Sequence, residues 1–243
     1  MYKDIAKPCR KTGFLHYLLH AITLIMTNLS LYITHTLLSP TASETDIRKI
    51  CEEAWIHQFK AVCVAPSYVA YTKEMFEFCP IRIEIGTVIG FPFGYSTKET
   101  KIYEAKNAIR DGATELDVVM NIAQFKSMAY LSVREELRRL ADLAHENSVL
   151  LKITIETAYL DSFDLYNTCE ICAEAKADFV NTSTGFAGSG ADVETVKKMR
   201  SILSPEIKIE ASGISTHDQA LVFIEAGAER IGTSSGVIIM SGK

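Results

Sequence analysis

From residue 29 onward, short apolar runs alternate with longer segments in which apolar residues return every three or four positions. The short runs, rich in Val, Ile and Leu, read as strands buried on both faces, and the longer segments as amphipathic helices. Strands are predicted at 31–35, 60–65, 81–89, 114–121, 149–156, 178–182, 206–211 and 230–233. Helices are predicted from a cap near Thr41 to about residue 57, then at 66–78, 96–111, 131–146, 161–176, 192–201 and 216–226. The punctuation agrees with this reading. Thr41 stands three places before Glu44, as in a capping box, and Pro66 occupies a position that helix starts tolerate. Gly112 and Gly227 each stop a helix just before a strand.

Eight strands, each followed by a helix except for a clipped last one, fit a closed parallel (β/α)8 TIM barrel better than an open doubly wound sheet. The fold class expected is therefore α/β, with one barrel domain over residues 29–243 and no linker or low-complexity tract inside it. Residues 1–28 are different. Lys3, Lys7, Arg10 and Lys11 precede an apolar run at 14–26 that has the outline of a signal peptide, but His16, His20 and Thr23 interrupt it. The run is also short for a membrane span. The expectation is a dispensable extension, with Met26 as the functional start; targeting or membrane association is the alternative.

Composition narrows the function without choosing it. A formal net charge of -5 leaves no basic face broad enough for general nucleic-acid binding, so any anion site has to be local. The six cysteines have no framework spacing and are expected to be reduced in a cytoplasmic protein. Cys169 and Cys172 form a C-x-x-C inside a predicted helix, without a second ligand pair, so they read as buried helix cysteines and not as a metal or redox site.

In a TIM barrel the chemistry sits at the carboxyl ends of the strands. The polar candidates there are Glu115 and Asp117, Lys152 and Glu156, Asn181, Lys208 and Glu210, and Thr233 to Ser235. Lys152 lies between Leu151 and Ile153, so it points into the barrel or into the helix layer, and in either place it needs a partner or a depressed pKa. An ion pair to a carboxylate on a neighbouring strand is the plain alternative to a catalytic role. Two turns rich in glycine and hydroxyl groups follow late strands, one with Thr184 and Gly185, the other with Gly232, Thr233, Ser234 and Ser235. Small residues let backbone N–H groups approach an anion, and two such turns together suit a phosphorylated small molecule.

The motifs HTLL at 35–38, CVAPS at 63–67, TVIGFP at 87–92, ELDV at 115–118, LKITIET at 151–157, DFVNTSTG at 178–185, ASG at 211–213 and IGTSSG at 231–236 occur in this order. With them the chain from about Met26 onward resembles deoxyribose-phosphate aldolase, a class I aldolase that works through a lysine Schiff base. The resemblance implies cleavage of 2-deoxy-D-ribose 5-phosphate to glyceraldehyde 3-phosphate and acetaldehyde, a place in deoxyribonucleotide catabolism, no metal and no other cofactor. It also implies a homo-oligomer with a phosphorylated sugar as its small-molecule partner, and no nucleic-acid or membrane partner. By position, Asp117 matches the family's acid/base aspartate and Lys152 its strand-five lysine. Gly185, Gly213 and the turn from Gly232 to Ser235 match its phosphate cradle.

The departures bear on activity. The Schiff-base lysine of the usual Phe-Val-Lys-Thr-Ser-Thr-Gly motif falls at Asn181, and a second lysine, whose charge keeps the nucleophilic amine neutral, falls at Glu210. A double glycine is reduced to Gly213, and an aspartate expected before His35 is Thr34. An amide forms no imine. Three readings follow: an inactive or strongly impaired family member, a pseudoenzyme that still binds a phosphosugar; a working aldolase that uses Lys152 or Lys208 instead; or a different phosphosugar enzyme in which Asp117 or Glu210 abstracts a proton beside a carbonyl.

Overall fold

In the computed structural model, which describes residues 29–242, eight parallel strands close into one barrel in chain order, and the eighth pairs with the first. The expectations for residues 1–28 lie outside the described residues. The strands are β1 (Ile33–Leu37), β2 (Ala61–Val64), β3 (Glu84–Ile89), β4 (Glu115–Val119), β5 (Leu150–Thr154), β6 (Phe179–Asn181), β7 (Lys208–Ser212) and β8 (Arg230–Thr233). The helices are α1 (Glu44–His57), α2 (Val69–Phe76), α3 (Lys98–Asp111), α4 (Ile122–Lys126), α5 (Tyr130–Glu146), α6 (Ser162–Glu174), α7 (Val193–Ile202), α8 (His217–Glu225) and α9 (Gly236–Met240).

Period-two alternation divides each strand between two environments. Val62, Val64, Leu116, Val118, Leu151, Ile153, Val180, Ile209 and Ile231 face the helix layer and join the main apolar core. The intervening positions point into the barrel, and several are polar: Thr34, Asp117, Lys152, Asn181, Glu210 and Arg230, all buried. On the helix side, Val133, Leu137, Leu140, Ala141 and Ala144 of α5 recur at three- and four-residue spacing and are fully buried. The outward face of the strands therefore holds the fold together, and the inward face is left for chemistry.

Several boundaries differ from the sequence reading, each for a local reason. Residues 29–32 form a 3-10 turn before β1: Leu29 and Ile33 are buried while Leu31 between them is 51% exposed, whereas a strand would put all three on one face. The cap of α1 lies two residues later than expected: Ser43 and Asp46 form the capping box, with the Ser43 N–H donating to Asp46 Oδ2 at 2.8 Å. Asn121, read as the end of β4, is instead the N-cap of α4, its side-chain oxygen accepting from the Gln124 N–H at 3.1 Å. Gly112 and Gly227 do end their helices with positive φ, at 112° and 107°.

Cys169 and Cys172 are fully buried in α6, and burial pushes the Cys169 thiol up to about 12. Among the described residues no helix is long and apolar enough to cross a membrane.

Candidate active site

A cavity of about 580 Å³ opens at the carboxyl ends of the strands. Its floor is formed by inward residues from successive strands: Asp117 on β4, Thr154 on β5, Asn181 on β6 and Glu210 on β7. Its rim contains Thr184, Gly185, Gly213, Gly232, Thr233, Ser234 and Ser235, so both glycine and hydroxyl turns converge on one space. Gly232 is required by close approach: a Cβ there would lie 2.4 Å from Ser212 Oγ and 2.8 Å from Glu210 Oε1. Gly213 has φ +86° and packs against the backbone of Gly190, which brings the turn after β7 against the loop after β6.

Asn181 is held at three points. Its Nδ2 donates to Asp117 Oδ2 at 3.1 Å and to Thr154 Oγ1 at 3.0 Å, and its Oδ1 accepts from Ser212 Oγ at 2.8 Å. Thr154 Oγ1 in turn donates to Asp117 Oδ1. The register places these groups side by side, since Thr154 pairs with Asn181 and Asn181 with Glu210. Burial pushes the Asp117 carboxyl above the ordinary carboxylate range; Glu210 adds to this, while Lys152 and the hydrogen bonds from Thr154 and Asn181 pull the other way.

Residues 32–240 match the family described as DeoC/LacD family aldolase. The deoxyribose-phosphate aldolase of Thermococcus gammatolerans is 46% identical over 212 residues, covering 87% of this chain and 94% of that protein. The deoxyribose-phosphate aldolase of Caldicellulosiruptor saccharolyticus is 45% identical over 213 residues, covering 86% and 96%. The structure of deoxyribose phosphate aldolase from Aeropyrum pernix, described as a unique tetramer, superposes with a TM-score of 0.82 at 32% identity, covering 89% of this chain and 91% of that one. The chain belongs to the DeoC/LacD aldolase family.

Within this aldolase-family barrel, Lys152 does not reach the cavity. Its side chain is 2% exposed, with Nζ 2.6 Å from Glu210 Oε2 and 3.0 Å from Glu115 Oε2. Burial alone would lower its pKa, but the two carboxylates outweigh that and hold it above the ordinary lysine value. The plain alternative weighed for this residue, an ion pair across neighbouring strands, is the arrangement found. Glu115 also receives Arg230 Nη2 at 2.7 Å, and despite its burial these two cations bring its carboxyl down to about 2. Arg230 Nη1 donates to Thr34 Oγ1 at 3.1 Å, and Thr34 Oγ1 donates to Glu210 Oε2 at 3.2 Å, closing the network.

Two placements correct the sequence reading. Glu115 and Lys208 were expected at the carboxyl ends of their strands, yet each is the first residue of its strand and so lies toward the opposite end of the barrel. Lys208 is exposed there, with Nζ 5.5 Å from the centre of the Phe179 ring, which also stands 5.7 Å from Lys152 Nζ and 5.2 Å from Arg230 Cζ. Lys208 shares a strand face with Glu210, as expected, but does not line the cavity.

Sequence reasoning missed Arg230, Thr154 and Ser212. A signal existed for each, since Arg230 lies two residues before Gly232, Thr154 two after Lys152 and Ser212 two after Glu210. Glu156, a strand-end candidate, is turned sideways. It sits at φ 50°, and its Oε2 accepts from the Thr184 N–H at 3.0 Å and from the Thr184 hydroxyl.

Proposed function

We propose that this member of the deoxyribose-phosphate aldolase family binds a phosphorylated sugar in the cavity but does not carry out the family's Schiff-base cleavage. On this reading Asn181 stands where the family carries its imine-forming lysine, and Glu210 stands where it carries the second lysine. The observation that carries the proposal is the triply hydrogen-bonded amide of Asn181 in a cavity that no lysine among the described residues lines. An amide nitrogen is not a nucleophile toward a carbonyl. Against a substitute amine stand the protonated, doubly paired Lys152 and the position of Lys208 at the other end of the barrel.

The phosphate group would rest on the rim. Thr184, Gly185, Gly213, Gly232, Thr233, Ser234 and Ser235 line it; Gly185 and Ser234 offer backbone N–H groups, and Ser234 and Ser235 hydroxyls, that no described residue occupies, while Thr184 and Thr233 shape the turns through their own hydrogen bonds. The tetrameric relative supports a homo-oligomer, and the metabolic substrate class supports a cytoplasmic location.

Borohydride reduction in the presence of deoxyribose 5-phosphate, read by peptide mass spectrometry, tests the proposal. Saturable binding without a lysine adduct and without release of glyceraldehyde 3-phosphate is expected. A reduced adduct on Lys152 or Lys208 would overturn it. A second reading rests on Asp117, which lines the floor with its carboxyl pushed above the ordinary range and could exchange a proton beside a ligand carbonyl. Incorporation of solvent deuterium at carbon 2 of deoxyribose 5-phosphate, without cleavage, would favour that reading.

A further inference from the structure

The hydrogen bonds of the cavity floor run in one direction. Both N–H bonds of the Asn181 amide are spent on Asp117 and Thr154, the Thr154 hydroxyl on Asp117, and the Ser212 hydroxyl on Asn181. What the floor still presents is acceptors. Each Asp117 oxygen has a further lone-pair site. Glu210 uses Oε2 for Lys152 and Thr34, while its Oε1, beside the open position at Gly232, receives no hydrogen bond from any described residue.

Charge points the same way. Among the described residues, the cavity lining contains Asp117 and Glu210 but no lysine, arginine or histidine. In the buried network joined to the floor, the three carboxylates of Glu115, Asp117 and Glu210 face the two cations Lys152 and Arg230. Both cations are occupied, so with Asp117 ionised one further positive charge would balance the set. A ligand carbonyl or ether oxygen would find no free donor on this floor, and unmet polar groups in a buried site are costly. An ammonium group brings three donors and the missing charge.

We propose that the ligand of this cavity is a phosphomonoester of a short amino polyol, with its phosphate on the neutral rim and a primary ammonium between Asp117 and Glu210. The inference rests on the phosphosugar-binding reading above and names the ligand class for that site. The positive charge is then supplied by the ligand and not by the protein.

Isothermal titration with 1-amino-1,2-dideoxy-D-ribitol 5-phosphate and with 2-deoxy-D-ribitol 5-phosphate tests this directly, because the pair differs only in ammonium against hydroxyl. The amine is expected to bind about tenfold tighter or more. Its dephosphorylated form is expected to bind more weakly than the phosphorylated amine, and the amine preference to fall in Asp117→Asn and in Glu210→Gln. Equal binding of the two phosphorylated compounds, or tighter binding of the alcohol, overturns this inference and leaves phosphosugar binding standing. Failure of both to bind overturns the phosphosugar reading as well. The comparison is made on the unmodified protein, so it does not depend on either variant folding.

Discussion

A lysine placed at position 181 alone would meet Asp117, with Glu210 on the next strand, and both would favour its protonated form. Replacing Glu210 by lysine as well removes one of those carboxylates and adds a second positive charge nearby, which favours a neutral amine. Asn181→Lys is therefore expected to form no borohydride-trappable adduct with deoxyribose 5-phosphate. The double variant Asn181→Lys with Glu210→Lys is expected to form one and to cleave the sugar at least about tenfold above the parent. A folded double variant without an adduct would show that the obstacle lies elsewhere in the cavity. Glu115 gives a test through stability. Its carboxyl lies at about 2 in the folded chain against an ordinary 4.5, so its contribution is complete above the higher value and is lost as pH falls toward the lower one. Glu115→Gln leaves Lys152 short of one partner and Arg230 without its carboxylate, and is expected to cost about 3–5 kcal/mol at pH 7. Urea titrations should show that deficit shrinking as pH approaches the value of the folded carboxyl.

The element that shapes the rim is the loop after β6. It is fastened to the end of β5 through Glu156, which accepts both the backbone N–H and the hydroxyl of Thr184. Glu156→Ala removes that tie while leaving the barrel strands intact. Faster amide exchange is expected over residues 184–188, together with about a tenfold rise in the Kd for a phosphosugar. Unchanged exchange in that loop would refute the tether. At this scale the sequence was readable where pattern was strong: the order of strands and helices follows from alternating apolar runs, and Gly112 and Gly227 end helices as their positions suggest. It was less readable where a residue had two good local uses. Asn121 and Glu156 both continue an apolar strand on paper, yet one caps a helix and the other turns into a left-handed conformation to hold a neighbouring loop. Short α4 and α9, of five residues each, show too few turns for a periodic signal.

For the molecule as a whole, every strand pairing that closes the barrel is made between residues 33 and 233. A chain beginning at Met26 is therefore expected to unfold at the same temperature as the full sequence and to bind the same ligand. A lower midpoint by calorimetry would show that the preceding residues contribute to the fold. The candidate site was legible as a set of positions, because Asp117, Asn181, Glu210 and both glycine turns meet in one cavity. The charge balance beneath it was not, since β7 starts at Lys208, two residues later than the apolar pattern suggests, which moves Lys208 to the amino end of the barrel, and the partners of Arg230 and Lys152 come from strands distant in the chain.

The Phe179 ring stands within 6 Å of three cations, and Glu115, Lys152 and Arg230 around it are all nearly inaccessible to solvent. Among the described residues, packed side chains thus fill the barrel beneath Asp117 and Asn181, and the cavity above them opens at the carboxyl ends of the strands. A ligand that touches Asp117 or Asn181 is therefore expected to come in from the side of the two glycine turns.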